Sequence, residues 1–256
     1  MDLTRALILL GAGALAGAMN SVAGGGTIVT FPSLIISGLS SIVANATSTI
    51  ALLPGTVSSV FGYRRNIPAV RQWLTLFGPV SLVGGLIGGI LLVQTPSKVF
   101  DWLVPFLILF ATILFMVNAT VARYFQPGGQ KPSSRWLWGA TLFQFGVALY
   151  GGYFGAGIGI LMLASLGMLG FKDVHEMNTV KTILGFLINV VAAVYFVWSG
   201  IVDWGSAGTM AIGTIIGGFS GAHFAQKIRQ RTVRRIITGI GLVLSAIMFY
   251  RTLYTP

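Results

Sequence analysis

Apolar stretches of about 20 residues alternate with short polar turns along nearly the whole chain, each long enough to cross a bilayer as a helix. The first runs from about residue 4 to 22 and meets Gly24-Gly25-Gly26. Three successive glycines disfavour continuing a helix. Residues 27 to 38 then form a second apolar arm. At 1.5 Å per residue it is about 18 Å long, too short to span alone. The pattern predicts a hairpin whose second arm is a broken or half-length helix, interrupted or ended by Pro32 and Gly38.

Ala44-Asn45-Ala46-Thr47-Ser48-Thr49 opens the next run, which reaches about Tyr63. Asn45 or Thr47 is the expected N-cap, and Pro54 the expected kink. Arg64, Arg65 and Arg71 make a basic loop, followed by a span over 72–94. Its Gly84-Gly85 and Gly88-Gly89 form a small-residue face suited to close helix packing. A short turn at 94–98 leads to a span over 99–118. Residues 119–135, with Arg123, Pro127-Gly128-Gly129, Lys131, Pro132 and Arg135, read as a polar linker.

The second half repeats these landmarks at one spacing. Gly24 matches Gly157, Gly26 matches Gly159, Asn45 matches Asn178, Gly84-Gly85 matches Gly217-Gly218 and Gly88 matches Gly221, each pair 133 residues apart. One glycine match among 35 glycines means little, but five landmarks from unlike motifs at one offset indicate a duplication. The chain therefore divides into a first transmembrane repeat at 1–118, a cytoplasmic linker at 119–135 and a second repeat at 136–256. The duplication also argues against reading the N-terminal run, with Arg5 and Ala16-Gly17-Ala18, as a cleaved signal peptide.

Charge sets the orientation. The basic loop at 64–71 corresponds to 197–204, which holds Asp203 and no basic residue. The turn at 95–98 has one Lys, whereas its counterpart holds Lys227, Arg229, Arg231, Arg234 and Arg235. Basic character swaps sides between the halves, as inverted repeats require. The expected fold is all-α and polytopic, with two inverted-topology repeats, each a broken-helix hairpin plus three transmembrane helices. The N-terminus lies outside, 64–71 and 119–135 inside, and the C-terminus outside.

Composition agrees. Hydrophobic residues make up 55% of the 256, charged residues 8%, and mean hydropathy is +0.86; a soluble domain carries about 25% charged residues. The net charge of +11 sits in loops, so it reads as topology and not as nucleic-acid binding. No cysteine is present, which excludes disulfides and thiolate metal sites. His175 and His223 are too few and too far apart for a metal centre. No P-loop occurs, no cofactor is called for, and five acidic residues offer no catalytic constellation.

Asn20-x-x-Ala23-Gly24-Gly25-Gly26-Thr27, then Pro32, then Ala44-Asn45-Ala46-Thr47-Ser48, resemble the TauE/SafE sulfite exporter family, as does Tyr150-Gly151-Gly152-Tyr153-Phe154-Gly155-Ala156-Gly157-Ile158-Gly159. The resemblance covers essentially the whole chain. It implies a carrier of small sulfur-containing anions, such as sulfite or organosulfonates, in the cytoplasmic (inner) membrane. The second half departs from the pattern, with Ile158 in the glycine run, Ser165 in place of Pro32 and Lys181 in place of Ser48.

A helix start presents unpaired N–H groups and a partial positive charge, and glycine lets a ligand reach them. Two inverted repeats can aim two such starts at one midplane point. The expected substrate-binding residues are Asn20, Gly24, Gly25, Gly26, Thr27, Asn45 and Ser48 from the first half, and Tyr153, Gly155, Gly157, Asn178 and Lys181 from the second. Lys181, costly in hydrocarbon, is the expected counter-charge for the anion; the alternative is that it reaches the cytoplasmic surface beside Lys172 and Asp173. His175 or Glu176 could carry a coupling proton, although both also fit a solvated loop. The expected partners are a small anion, the lipid bilayer and a coupling proton or ion. An anion channel using the same site is the alternative function, and the oligomeric state is not written in the sequence.

Overall fold

The computed structural model describes residues 2–22, 25–124, 134–169, 171, 173–224, 238–239, 241–243 and 245–250. Lys172, the 125–133 part of the polar linker and the basic stretch at 227–235 lie outside the described residues. The described elements are α1 (Leu3–Val22), α2 (Thr27–Ile36), α3 (Ser41–Tyr63), α4 (Ile67–Gln94), α5 (Ser97–Tyr124), α6 (Ser134–Tyr153), α7 (Ile158–Met168), α8 (Val174–Trp198) and α9 (Trp204–Phe224). A 3-10 turn at Arg64–Asn66 joins α3 to α4. No strand occurs among the described residues. Stretches within α1, α3–α4, α5 and α8 are long and apolar enough to cross a membrane.

Two short helices, α2 and α7, follow the two glycine-rich interruptions. Pro32 does not end α2: the helix runs on to Ile36, and Gly38, at φ +91°, ends the segment with Gly38 N–H on the Ile35 carbonyl. Nor is Asn45 or Thr47 an N-cap. Helix α3 begins four residues before Asn45, with Ser40 in the extended cap conformation. Asn45 and Thr47 are buried inside the helix, because the apolar positions Ile42, Ala44 and Ala46 already face the core. The run holding Lys181 likewise starts at Val174, capped by the Asp173 side chain accepting the His175 N–H at 2.7 Å. The linker is still helical through Tyr124 and is helical again from Ser134.

Glycines decide which helices meet. Gly13 lies against Met210 and Gly17 against Thr214, so α1 and α9 run side by side in the same direction. Gly84 faces Ala148 and Gly88 faces Leu149 and Tyr153, so α4 and α6 pair in the same way. Gly85 and Gly89 set α4 along α8, at Ile188 and Ala192. Helix α3 runs antiparallel to α8: Thr47 accepts the Asp203 N–H just beyond the end of α8, while Asn66, just beyond α3, reaches Thr179 near the start of α8. It runs parallel to α9, where Thr214 donates to the Ala51 carbonyl at 2.8 Å. Thus α1, α3 and α9 point one way and α4, α6 and α8 the other. The last described stretch packs on α5, with Ser245 Oγ donating to the Pro105 carbonyl at 3.1 Å.

The start of α9 is held by Asp203, whose Oδ1 accepts the Ser206 N–H at 2.8 Å. Hydrogen bonds from the Ser206 side chain and backbone hold this carboxyl below its ordinary range, and Arg5 adds to the effect. A depressed carboxylate contributes stability above its unfolded-state pKa and loses it as pH falls through the folded value. Asp203→Asn is therefore expected to flatten the acid limb of a thermal-stability profile below about pH 4.

A Cβ at Gly217 would run into the Ala14 carbonyl, whereas Gly208 has open space. Gly217→Ala is expected to cost about 1–3 kcal/mol through overpacking. Gly208→Ala is expected to be neutral or up to about 1 kcal/mol stabilising through helix propensity. Thermal unfolding in detergent compares the two.

Candidate functional site

Each interruption is held by a side chain from the helix before it. At the first, Asn20 in the last turn of α1 accepts the Gly26 N–H on its Oδ1 at 2.8 Å. The N–H groups of Ile28, Val29 and Thr30 turn back onto the Gly25 and Gly26 carbonyls. The first turn of α2 is thus largely satisfied from within. At the second, Gly155 and Gly157 take φ +80° and +78°, where any Cβ is strained. The Tyr150 hydroxyl spans this break and donates to the Ala156 carbonyl at 2.8 Å.

A cavity of about 140 Å³ lies between the two breaks, walled on either side by α3 and α8. Six expected site residues line it: Asn20, Gly25, Thr27, Gly155, Gly157 and Lys181. Others stand behind the wall. The Gly26 N–H is taken by Asn20. Asn45 is buried, and its Nδ2 donates to the Tyr153 carbonyl at 2.9 Å. Ser48 is buried against Thr30, with their hydroxyl oxygens 2.5 Å apart. The Tyr153 hydroxyl lies 3.3 Å from Thr95 Oγ1, and Asn178 supports Lys181. Gly24 lies outside the described residues. His175 is exposed, and neither it nor Glu176 lines the cavity.

Among the described residues, Lys181 is the one ionisable residue in the lining. Its Nζ donates to Asn178 Oδ1 at 3.0 Å, and its stem lies along Gly159, where a Cβ would come within 3.3 Å of Cδ. Its side chain lines the cavity. An ammonium has three N–H donors, and the bond to Asn178 uses one.

Five polar side chains in the lining were not anticipated: Thr49, Thr56 and Ser59 on α3, and Thr182 and Asn189 on α8. The 133-residue offset contains the signal for most of them. Thr49 and Thr182, Leu52 and Gly185, and Thr56 and Asn189 are offset pairs in which both members line the cavity. The α3 hydroxyls donate along their own helix, to the carbonyls of Asn45, Leu52 and Gly55. Such a carbonyl has a second lone pair for its helical N–H, so each hydroxyl can rotate to a ligand at small cost. One wall is aromatic: Phe154 is backed edge-on by Phe31 at 5.4 Å and by Phe100 at 6.5 Å.

Long apolar helices, two helix breaks and a half-polar cavity between them define a polytopic α-helical membrane protein with an internal cavity. The comparisons with known proteins say which kind. The chain belongs to the TauE/SafE sulfite exporter family, whose model matches residues 9–248. It is 26% identical over 246 residues to a probable membrane transporter protein of Haemophilus influenzae, covering 95% of this chain and 94% of that one. It is 26% identical over 242 residues to the probable membrane transporter protein YfcA of Escherichia coli K12, covering 92% and 86%. It is 24% identical over 280 residues to the probable membrane transporter protein YunE of Bacillus subtilis, covering 97% and 99%. No solved structure matches it. The chain is a multi-pass membrane transporter and not an enzyme.

Asn20 holds the first break together, and Asn20→Ala leaves the buried Gly26 N–H without its acceptor. The expected cost is about 1–3 kcal/mol, read as a lower thermal midpoint, with Asn20→Asp retaining most of the stability.

Proposed function

We propose that the chain is a secondary transporter that exports a small anion, such as sulfite or an organosulfonate, across the cytoplasmic membrane. The observation that carries this reading is a cavity between two helix breaks whose one ionisable lining group, among the described residues, is an ammonium. Lys181 supplies the charge, and its remaining N–H groups the charge-assisted hydrogen bonds. Asn20, Thr27, Thr49, Thr56 and Thr182 supply adjustable donors around it. Leu52, Leu53, Phe154 and Met162 supply an apolar wall for an organic substituent. The packed rings of Phe31, Phe100 and Phe154 close off one side, which favours a carrier over a continuous anion channel.

The same reading takes the halves as inverted repeats, 1–118 and 136–256, related through the cavity. The opposed directions of α1 with α6 and of α4 with α9 support it, as do the offset pairs in the lining. Basic loops then mark the cytoplasmic side and the C-terminus lies outside. A C-terminal reporter active only outside the cytoplasm is expected to be active; cytoplasmic activity would reverse the topology.

Proteoliposomes tested with sulfite, sulfate, alkyl sulfonates and carboxylates are expected to show saturable, gradient-dependent counterflow of at least one anion. Lys181→Ala is expected to weaken apparent affinity at least about tenfold, matching the loss of a charge-assisted hydrogen bond, with Lys181→Arg retaining more. Flux of no anion, or unchanged affinity in Lys181→Ala, would overturn the assignment.

A further inference from the structure

Asn45 and Asn178 stand at equivalent positions 133 residues apart, and three residues after them stand Ser48 and Lys181. In the second half the pair is complete, since the Lys181 ammonium donates to Asn178 Oδ1 at 3.0 Å. In the first half the equivalent acceptor is empty-handed. Asn45 is 1% exposed, and its Oδ1 is buried with no hydrogen-bond partner.

The orphan is not an amide drawn the wrong way round. Asn45 Nδ2 donates to the Tyr153 carbonyl at 2.9 Å, and turning the amide over would set oxygen against oxygen. Ser48 does not fill the gap either. Its hydroxyl is paired with Thr30, and Thr30 Oγ1 donates to the Gly26 carbonyl at 3.2 Å. With the Thr30 proton on Gly26, the proton between the two hydroxyls belongs to Ser48. Ser48 Oγ and Asn45 Oδ1, one helical turn apart on α3, therefore both retain lone pairs. Tyr153 is the last residue of α6, so the negative end of that helix dipole also faces this place. The ingredients are neutral oxygens and a negative helix end, with no group of acidic or histidine side chains that could hold a metal ion among the described residues.

We propose that this place in the first half binds an alkali-metal cation, which does for Asn45 what the Lys181 ammonium does for Asn178. Neutral oxygens at the end of an interrupted helix suit a monovalent ion, whereas divalent ions take carboxylates. One half thus carries a fixed cation and the other an exchangeable one. The cation site stands on its own geometry. Its further consequence, that the ion's gradient drives the anion, rests on the transport function proposed above.

The test is thermal unfolding of the full-length protein in detergent, in NaCl, KCl and choline chloride at equal chloride. Wild type is expected to gain midpoint temperature in NaCl or KCl relative to choline, rising logarithmically by about 3 °C for each tenfold excess over the dissociation constant. Asn45→Ala is expected to lose that shift. Ser48→Lys, which supplies a tethered ammonium at the equivalent position, is expected to lose it too. Where Asn45→Ala does not fold, Ser48→Lys decides the location. Equal midpoints in all three salts for wild type, or a shift that survives in the folded variants, would overturn the proposal. Chloride is the same in all three salts and only the cation varies, so a failed anion panel with an intact cation shift would remove the transport function and leave the cation site.

Discussion

Stopping a helix inside hydrocarbon strands backbone N–H and C=O groups where no water can reach them, and the two interruptions answer this in different ways. Asn20 reaches forward from α1 to take the Gly26 N–H, and the next three N–H groups fold back onto Gly25 and Gly26. Tyr150 reaches forward from α6 to the Ala156 carbonyl, across two glycines in left-handed conformations. The first break is sealed on its donor side and the second on its acceptor side. What remains open between them is a cavity whose described lining carries one ammonium and several rotatable hydroxyls. Glycines from both breaks line the cavity beside its polar side chains.

The same sealing explains why the halves are not interchangeable. Where the first half has Ser48, locked to Thr30 behind the wall, the second has Lys181, reaching into the cavity over Gly159. Where the first half has Asn20, the second has Tyr153, turned away to Thr95. The cavity lining is therefore asymmetric, with its charge from one half of the chain and most of its hydroxyls from the other.

Much of this was legible in the chain itself. The glycine runs and the 133-residue offset located both breaks within a residue or two of where α1 and α6 stop, and Lys181 stood out as a charge in an apolar run. The rotational phase of α3 was not legible. Ser48 and Thr49 are neighbours, yet a turn of about 100° puts one behind the wall and the other on the cavity. Composition cannot supply that angle, because an apolar run rich in Ala, Gly, Ser and Thr has no strongly polar face to set it. Asn45 misled for a related reason: an asparagine ahead of an apolar run resembles a helix cap, and only its distant partner, the Tyr153 carbonyl, shows that it is a core residue.

The exchange of partners between halves has a consequence for how the molecule is made. Helix α1 packs through Gly13 and Gly17 onto α9, and α4 through Gly84 and Gly88 onto α6. During synthesis the first helices therefore enter the membrane with their glycine faces bare, and they stay so until the second half follows. Neither half is a finished object alone. Assembly closes only when a late helix returns to an early one, so two pieces made separately would have to meet in one bilayer before either glycine face was covered.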